Sequence, residues 1–488
     1  MLCHTVPFAL LNLGQPLPVG MEPPPFALAE PPGGGGSGGS GFSGSGTGEA
    51  GRPDSAGFIE SDRYPLACHW LEPEDEARCP AILDQLEDAW QIQVEEIGFH
   101  APAPDSDGLV DIYLTNEGTA DGAYAYGPPV DSATGDGRMS TAAYIAIDRD
   151  IPDDAMPGYT VHEFNHVLQY ATDFTEPTYM IWESIASAAE RWTYPDMDVL
   201  SLYATDFQLA PWMGILGDGY FLWDEYEMWS YYEYGGYVWA FHMDAEWGDG
   251  LGSAGRDIWE LAAQEGNDNE PDVLDAYDLL TGDWRAALLD LSAERARMGT
   301  MLAPDWAPWT GEGYRVAADK LTWADLPARI TPEVGPYQTG TAYVEITDVP
   351  DGATLTWTIE SEADVSWGSV AVQGLTEAKV MGTTGSYTAV DAGEVRIGAV
   401  NLAAADFDGD DRLYSATMTL VLDGDAASGD GGAGDGGARD GGAPGDGGAD
   451  DDEGKGGCSS AGGHPALGFL LPGLALLFAR RRSALGVL

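Results

Sequence analysis

Basic residues are scarce in this sequence. Of its 488 residues, 21 are lysine or arginine and 81 are aspartate or glutamate, which gives a formal net charge of −60. Lysine occurs only as Lys320, Lys379 and Lys455. A surface of such uniform negative charge repels phosphate backbones and anionic membranes. The composition therefore excludes nucleic-acid binding and suits a protein that stays soluble in saline or extracellular surroundings.

Cysteine is rare as well, with four residues at Cys3, Cys68, Cys79 and Cys458. None of them has the C-x-x-C spacing of a zinc knuckle, so a cysteine-ligated metal is not expected. Cys68 and Cys79 are close enough in sequence to close a short loop by a disulfide if the compartment is oxidising.

The N-terminus lacks the basic residue and the uninterrupted apolar run of a standard signal peptide. Ala27-Leu28-Ala29 still offers a small-residue cleavage site, so residues 1–29 are predicted to be an atypical leader or to follow a misplaced start codon. Residues 30–56 are rich in glycine and serine and predict a flexible linker.

Residues 57–325 have an α+β pattern, with strands predicted at Val110–Leu114 and Ala143–Ile147. Apolar periodicity predicts helices over 80–97, 158–172, 180–192, 236–246, 258–263 and 284–297. Residues 326–423 alternate between apolar and polar side chains in short segments, which predicts an antiparallel β-sandwich of accessory type. An acidic, glycine-rich spacer follows at 424–457.

The last segment, 458–488, combines a cysteine, an apolar run and an arginine cluster. Gly457-Cys458-Ser459-Ser460 precedes the apolar residues 465–479 and then Arg480–Arg482. This order resembles the C-terminal sorting tail of myxobacterial surface proteins. The resemblance implies export, cleavage by a sorting protease near Cys458 and an extracellular or cell-surface location. Membrane contact is expected only through this tail, and a plain C-terminal anchor is the alternative.

The strongest motif is H-E-x-x-H, at His162, Glu163 and His166. Histidines four residues apart lie on one face of a helix and can bind one zinc ion, while Glu163 is placed as the general base. A histidine as third ligand in the H-E-x-x-H-x-x-G-x-x-H pattern is excluded, because Gln169 and Thr172 occupy the required positions. The remaining candidates are the glutamates downstream, Glu176, Glu183 and Glu190.

The motif followed by Trp182-Glu183-Ser184-Ile185-Ala186 resembles the gluzincin, or thermolysin-like, zinc metallopeptidases over residues 57–300. The resemblance implies a thermolysin-like α+β domain, one catalytic Zn²⁺ and Glu183 as the third ligand. Glu190 or Ser187 is then expected to hold a ligand histidine. The sequence departs from the family pattern at Ser184, where glycine is common, and in the tryptophan directly beside the glutamate.

Tyr232-Glu233-Tyr234-Gly235 resembles the Tyr-x-x-Gly segment of gluzincin aminopeptidases, whose tyrosine hydroxyl stabilises the oxyanion. The resemblance implies that role for Tyr232, with Tyr234 and His242 as alternatives. No Gly-x-Met-Glu-Asn segment supplies the glutamate that holds a substrate amino terminus, so an endopeptidase is expected. The strand at 143–147 is expected at the sheet edge, where it would pair with an extended peptide.

The segment Asp406–Asp411 crowds carboxylates as Ca²⁺ loops do, but Thr417 stands where an EF-hand has its glutamate, which favours a solvated turn.

The function predicted is a secreted or surface-attached zinc endopeptidase acting on peptides or proteins. The alternatives are an inactive metallopeptidase-like adhesion or binding protein and a zinc hydrolase of a non-peptide substrate.

Overall fold

The computed structural model describes residues 52–426 except 104, 117–121, 128–137, 177, 197–199, 218, 227, 229, 264–271, 308, 362–364 and 404–414. The predicted leader, nearly all of the linker and spacer, the C-terminal tail and the segment Asp406–Asp411 lie outside the described residues. In the part of the chain that is described, no helix combines the length and apolarity required to cross a bilayer.

A mixed five-stranded sheet comes first in the chain. Its strands are β1 (Gly57–Glu60), β2 (Leu66–Trp70), β3 (Val110–Thr115), β4 (Ala123–Tyr126) and β5 (Tyr144–Asp148). The spatial order is β1-β2-β3-β5-β4, with β2, β3 and β5 parallel and the two edge strands antiparallel to their neighbours. β3 and β5 are buried along their whole length, as expected for the centre of such a sheet.

The predicted strands at 110–114 and 143–147 are therefore confirmed, but the expectation that 143–147 forms the edge is wrong. β5 is internal, between β3 and β4, and the edge strand beside it is β4. The sequence around Ala123–Tyr126 is short and bounded by glycines, so it gives a weak strand signal, and only its pairing with β5 shows its position.

The helices that cover the sheet begin at α1 (Cys79–Ala89), which continues as a π-helical segment, Trp90–Ile97, and ends at Gly98. A disulfide joins Cys68 on β2 to Cys79 at the start of α1, which confirms that pairing. The later helices are α2 (Met156–Thr172), α3 (Tyr179–Thr193), α4 (Leu200–Leu209), α5 (Gly219–Tyr226), α6 (Tyr232–Gly235), α7 (Tyr237–Trp247), α8 (Ser253–Ala262), α9 (Val273–Thr281) and α10 (Trp284–Arg297).

Two further sheets face each other after residue 318. Their strands are β6 (Asp319–Thr322), β7 (Ala328–Ile330), β8 (Thr341–Val349), β9 (Thr354–Ser361), β10 (Trp367–Gln373), β11 (Thr376–Met381), β12 (Thr384–Thr388), β13 (Gly393–Asn401) and β14 (Met418–Asp425). The orders are β11-β10-β13-β8-β6 and β12-β9-β14-β7, all antiparallel except the β6–β8 pair. Apolar side chains such as Leu355, Trp357 and Ile397 fill the space between the sheets. The α+β class is confirmed.

The five-stranded sheet of this sandwich also packs against the helical region through its outer face. Tyr343, Val370, Val400 and Leu402 belong to the same buried apolar cluster as the helices and the first sheet. Leu289 of α10 lies over Gly368, where a Cβ would come within 2.8 Å of the leucine side chain. The sandwich predicted as an accessory domain thus shares a hydrophobic core with the region that carries the H-E-x-x-H motif.

Candidate metal centre

α2 carries the first part of the centre and lies between the sheet and α3. Pro157 stands in its first turn, where its fixed φ and missing N–H are compatible with a helix start. His162 and His166 are four positions apart in the sequence and therefore point from the same face. Nearly the whole helix is buried, so both imidazoles are shielded from solvent.

Glu183 of α3 meets both histidines. Its Oε2 atom lies 3.1 Å from His162 Nε2 and 3.6 Å from His166 Nε2. A tetrahedral zinc ion with bonds of about 2.0–2.2 Å holds its ligand atoms roughly 3.4 Å apart. The two distances lie on either side of that value, so these three side chains fit a tetrahedral zinc ion and leave one ligand position for a small molecule.

The opposite ring nitrogens of the histidines are held by acceptors. His162 Nδ1 lies 3.0 Å from Glu190 Oε1, and His166 Nδ1 lies 2.6 Å from Gln169 Oε1. Gln169 Nε2 donates to the Trp182 carbonyl at 3.0 Å, which fixes the amide orientation. A carboxylate and an amide oxygen can only accept here, so both histidines donate from Nδ1, and Nε2 is the nitrogen left on the side of Glu183 as a metal ligand.

Of the two partners predicted for a ligand histidine, the structure brings Glu190 to His162. The Ser187 hydroxyl is buried and has no hydrogen-bond partner among the described residues. Sequence reasoning missed Gln169 as the partner of His166. Its position one helical turn after the histidine was the available signal, because residues three apart on a helix are neighbours.

The charges of the cluster favour a bound cation. Burial alone would raise the pKa of Glu183, but the imidazoles of His166 and His162 outweigh it and hold that pKa well below its ordinary range. Burial alone would lower the pKa of His162, but the carboxylates of Glu183 and Glu190 outweigh it and raise that pKa. Glu163 and Glu190 bring two further buried carboxyl groups to the same place, so a divalent cation would be strongly attracted.

Glu163 lies between the cluster and the edge strand of the first sheet. Burial raises the pKa of Glu163, whereas the backbone N–H of Ala125 on β4 faces its carboxylate and favours the charged form. Its Oε2 atom is buried without a hydrogen-bond partner in the part of the chain that is described. An orphaned carboxylate oxygen beside a metal-binding triad fits a general base that takes its proton from a molecule bound there.

A buried glutamine holds α2 in register against the π-helical segment. Gln93 Nε2 donates to the Val161 carbonyl at 3.2 Å, and Gln93 Oε1 accepts from Asn165 Nδ2 at 3.0 Å. Asn165 is one of the two variable residues inside the H-E-x-x-H motif. These hydrogen bonds hold the motif against the π-helical segment, in addition to the contacts that its histidines make.

The structure does not bring Tyr232 to the triad, which corrects the prediction from the Tyr-x-x-Gly resemblance. Its hydroxyl is buried and donates to the Gly214 carbonyl at 2.7 Å. Tyr234 lies at the centre instead, with its ring stacked on the His162 ring at 5.7 Å between centroids and 24° between planes. Residues two apart on a helix point about 200° apart, so one turn cannot direct both phenols to the same place.

His242, an alternative to Tyr232, and Glu176, a candidate third ligand, make their contacts elsewhere. The His242 ring packs against Trp247 and Trp306, and burial lowers its pKa to about 3. Glu176 lies in the connection between α2 and α3, where its Oε1 atom accepts from the Thr178 N–H at 2.9 Å. His162, His166 and Glu183 remain together with Glu163 beside them, as the motif and the resemblance predicted.

A second acidic group, Asp105, Asp107 and Asp111, is compensated by basic side chains. The Arg52 guanidinium contacts Asp105 and Asp111, and His69 Nε2 lies 2.8 Å from Asp111 Oδ1. The Arg52 ion pairs and the His69 hydrogen bond account for two of the three carboxylates without a metal.

No protein-family model matches the sequence, and the search of curated proteins finds no significant match. Among solved structures, the pre-peptidase C-terminal domain of a collagenase from Bacillus anthracis is 12% identical and has a TM-score of 0.16. The match covers 22% of this chain and 94% of that chain. PliG from Aeromonas hydrophila, a periplasmic inhibitor of g-type lysozyme, is 15% identical with the same TM-score and covers 22% of this chain and 100% of its own.

Proposed function

We propose that this protein is a zinc-dependent peptidase with a thermolysin-like, gluzincin arrangement of its site. One observation supports it above all: Oε2 of Glu183 lies 3.1 Å from Nε2 of His162 and 3.6 Å from Nε2 of His166, while both Nδ1 atoms face acceptors. A zinc ion at this place would polarise a carbonyl group and lower the pKa of water.

Glu163 is the general base in this proposal. The Ala125 N–H faces its carboxylate, and its Oε2 atom is buried without a hydrogen-bond partner among the described residues. This arrangement leaves one oxygen of the base free to accept a proton. Glu163 accepts the proton of the attacking water and can then return it to the leaving amine.

The edge strand supports a peptide as substrate. Asp148 donates its N–H to the Gly122 carbonyl at 2.8 Å, so Gly122, Tyr124 and Tyr126 bond to β5 in the antiparallel alternation. The backbone groups of Ala123 and Ala125 therefore point away from β5, on the side where Glu163 lies. A peptide paired with β4 through the Ala123 N–H and the outward carbonyls would pass beside the base and the triad.

Tyr234 takes the oxyanion role that the resemblance implied for Tyr232. It is the tyrosine of the Tyr-Glu-Tyr-Gly segment whose ring lies against a metal ligand. A phenol donor beside the reacting carbonyl stabilises the negative charge that develops there.

Metal analysis combined with a peptidase assay on the full chain tests the proposal. We expect one zinc per chain in the parent and in Glu163→Gln, with activity lowered by about 10²–10⁴-fold in the variant, because an amide cannot accept the proton. Glu183→Ala should lose the metal, whereas Glu176→Ala should keep it. Full activity of Glu163→Gln would refute the mechanism, and a zinc protein inactive on every peptide would indicate a non-peptide hydrolase.

Export and surface attachment stay predictions, because the tail that implies them lies outside the described residues. The Cys68–Cys79 disulfide is the described feature that agrees with an oxidising compartment.

A further inference from the structure

The short helix α6, which presents Tyr234 to His162, is anchored on three sides. The Tyr231 N–H donates to Asp206 Oδ2 at 2.6 Å, and Glu233 Oε2 accepts from the Gly219 N–H at 2.7 Å. The third anchor is the Tyr232 hydroxyl, which donates to the Gly214 carbonyl at 2.7 Å. Four residues cannot fix their own orientation, so these contacts decide where the Tyr234 ring lies.

The third anchor leads directly to the β-sandwich. Gly214 has a φ of 75°, and a Cβ at this position would lie 2.3 Å from Thr339 Oγ1 and 2.5 Å from the Gly340 nitrogen. Ile215 donates its N–H to Thr339 Oγ1 at 2.9 Å. The segment that carries the acceptor for Tyr232 is therefore in tight contact with the residues leading into β8.

Backbone hydrogen bonds extend this junction. Tyr337 donates its N–H to the Trp212 carbonyl and Thr341 donates to the Pro211 carbonyl, both at 2.8 Å. Thr339 itself has a φ of 65°, a left-handed conformation that a β-branched residue adopts only when its surroundings impose it. The junction is thus built for one geometry rather than for a flexible link.

From this path we infer that the β-sandwich positions the active-site tyrosine, through the contacts from Thr339 to Gly214 to Tyr232 and so to Tyr234. Tyr232 is then a positioning residue and the sandwich is part of the catalytic unit. The inference rests on the proposed function in so far as Tyr234 acts on the substrate. Loss of the Tyr232 hydroxyl frees one side of α6 and lets the Tyr234 ring move relative to His162.

A double-mutant cycle tests the inference in the zinc-loaded full chain. Tyr232→Phe should lower kcat by about 10–100-fold with KM within about threefold, because a small misplacement of a catalytic group costs rate rather than binding. Tyr234→Phe should lower kcat by about 10²–10³-fold. Adding Tyr232→Phe to Tyr234→Phe should have no further effect, because the first residue acts through the second.

Tyr343→Phe is the matched control. The Tyr343 hydroxyl is also buried at the sandwich junction and donates to a backbone carbonyl, that of Ser292, at the same distance of 2.7 Å. This variant should keep the parent kcat. Multiplicative effects of Tyr232→Phe and Tyr234→Phe, or an equal loss in Tyr343→Phe, would overturn the inference.

Two variants at Thr339 test the link to the sandwich itself. Thr339→Ala removes the acceptor of the Ile215 N–H and should reproduce the kcat loss of Tyr232→Phe, whereas Thr339→Ser keeps the hydroxyl and should restore the parent value. Parent kcat in Thr339→Ala would show that the sandwich does not position the tyrosine.

A measurement independent of activity separates this inference from the proposed function. With 3-fluorotyrosine at position 234, the ¹⁹F resonance should shift or broaden in Tyr232→Phe and in Thr339→Ala but stay unchanged in Tyr343→Phe. A parent inactive on peptides would refute the proposed function alone, and this resonance would then decide the positioning path. An unchanged resonance in Tyr232→Phe would overturn it.

Discussion

The two histidines of the triad differ in what holds them from behind. Glu190 offers His162 a carboxylate, whereas Gln169 offers His166 a neutral amide that also ties α2 to the α3 backbone at Trp182. A carboxylate partner increases the basicity of the imidazole and strengthens its bond to a metal. The two histidines are therefore expected to contribute unequally to zinc affinity, His162 through charge and His166 through orientation.

Substitutions at these partners should weaken zinc binding without removing a ligand. Glu190→Ala and Gln169→Ala should each lower zinc affinity by about 10–100-fold, measured by competition with a chelator. Glu190→Gln keeps an acceptor for Nδ1 and should fall between the parent and Glu190→Ala. Ser187→Ala, one turn earlier on the same helix, should leave the affinity unchanged. Parent affinity in Glu190→Ala would contradict the role of that carboxylate.

Among the helices and strands, the sequence predicted best the two helices that carry the candidate metal ligands. The H-E-x-x-H spacing requires a helix for its histidines, and α2 and α3 lie within two residues of the predicted ends. The resemblance implied Glu183 as the third ligand, and the structure brings its Oε2 atom within 3.6 Å of Nε2 of both histidines. The strands at 110–114 and 143–147 were also predicted as strands, although their central, fully buried positions in the sheet were not.

The errors lie where position depends on distant parts of the chain. The orientation of α6 is decided by Asp206, Gly214 and Gly219, so the sequence of four residues could not show which tyrosine contacts His162. The edge strand was misplaced for a similar reason, since the order of strands in a sheet is a property of their pairing.

The connection between α2 and α3 contains a buried carboxyl group that should make stability depend on pH. Glu176 is buried, and its backbone carbonyl accepts from Trp182 Nε1 at 3.0 Å. Burial raises the pKa of its side chain to about 8 from 4.5. Between these values the folded state keeps a proton that the unfolded state has released, so the free energy of unfolding falls as pH rises.

Glu176→Gln should remove this dependence. The amide oxygen can still accept from the Thr178 N–H, and no charge has to be buried at high pH. The stability of the variant relative to the parent should therefore grow from pH 5 to pH 8, by up to about 1.4 kcal/mol per pH unit. Urea unfolding of both zinc-loaded proteins across this range measures the difference. A difference that stays constant with pH would contradict the assignment to Glu176.

At the scale of the whole molecule, the change of periodicity near residue 326 indicated a separate sandwich, but the interface is continuous with the core. Arg396 Nη1 donates to the Ala296 carbonyl and Nη2 donates to Glu345 Oε2, both at 2.7 Å. Arg297 Nε donates to the Gly374 carbonyl at 3.2 Å. Hydrophobic periodicity identifies the faces of strands, but it does not show that the outer face of this sheet covers α10.

A shared core predicts one cooperative unfolding transition for residues 52–426, with calorimetric and van't Hoff enthalpies that agree.

Leu289→Asp places a charge between α10 and the sandwich and should lower the melting temperature of the whole transition by several degrees or more, since an unpaired buried charge is strongly destabilising. Thr356→Asp, on the exposed outer face of the other sheet, should change it little. A chain truncated after Ala318 should fail to fold, because the apolar surface of α10 loses its cover. Two separate transitions, with Leu289→Asp affecting neither, would show that the sandwich and the helical region fold independently.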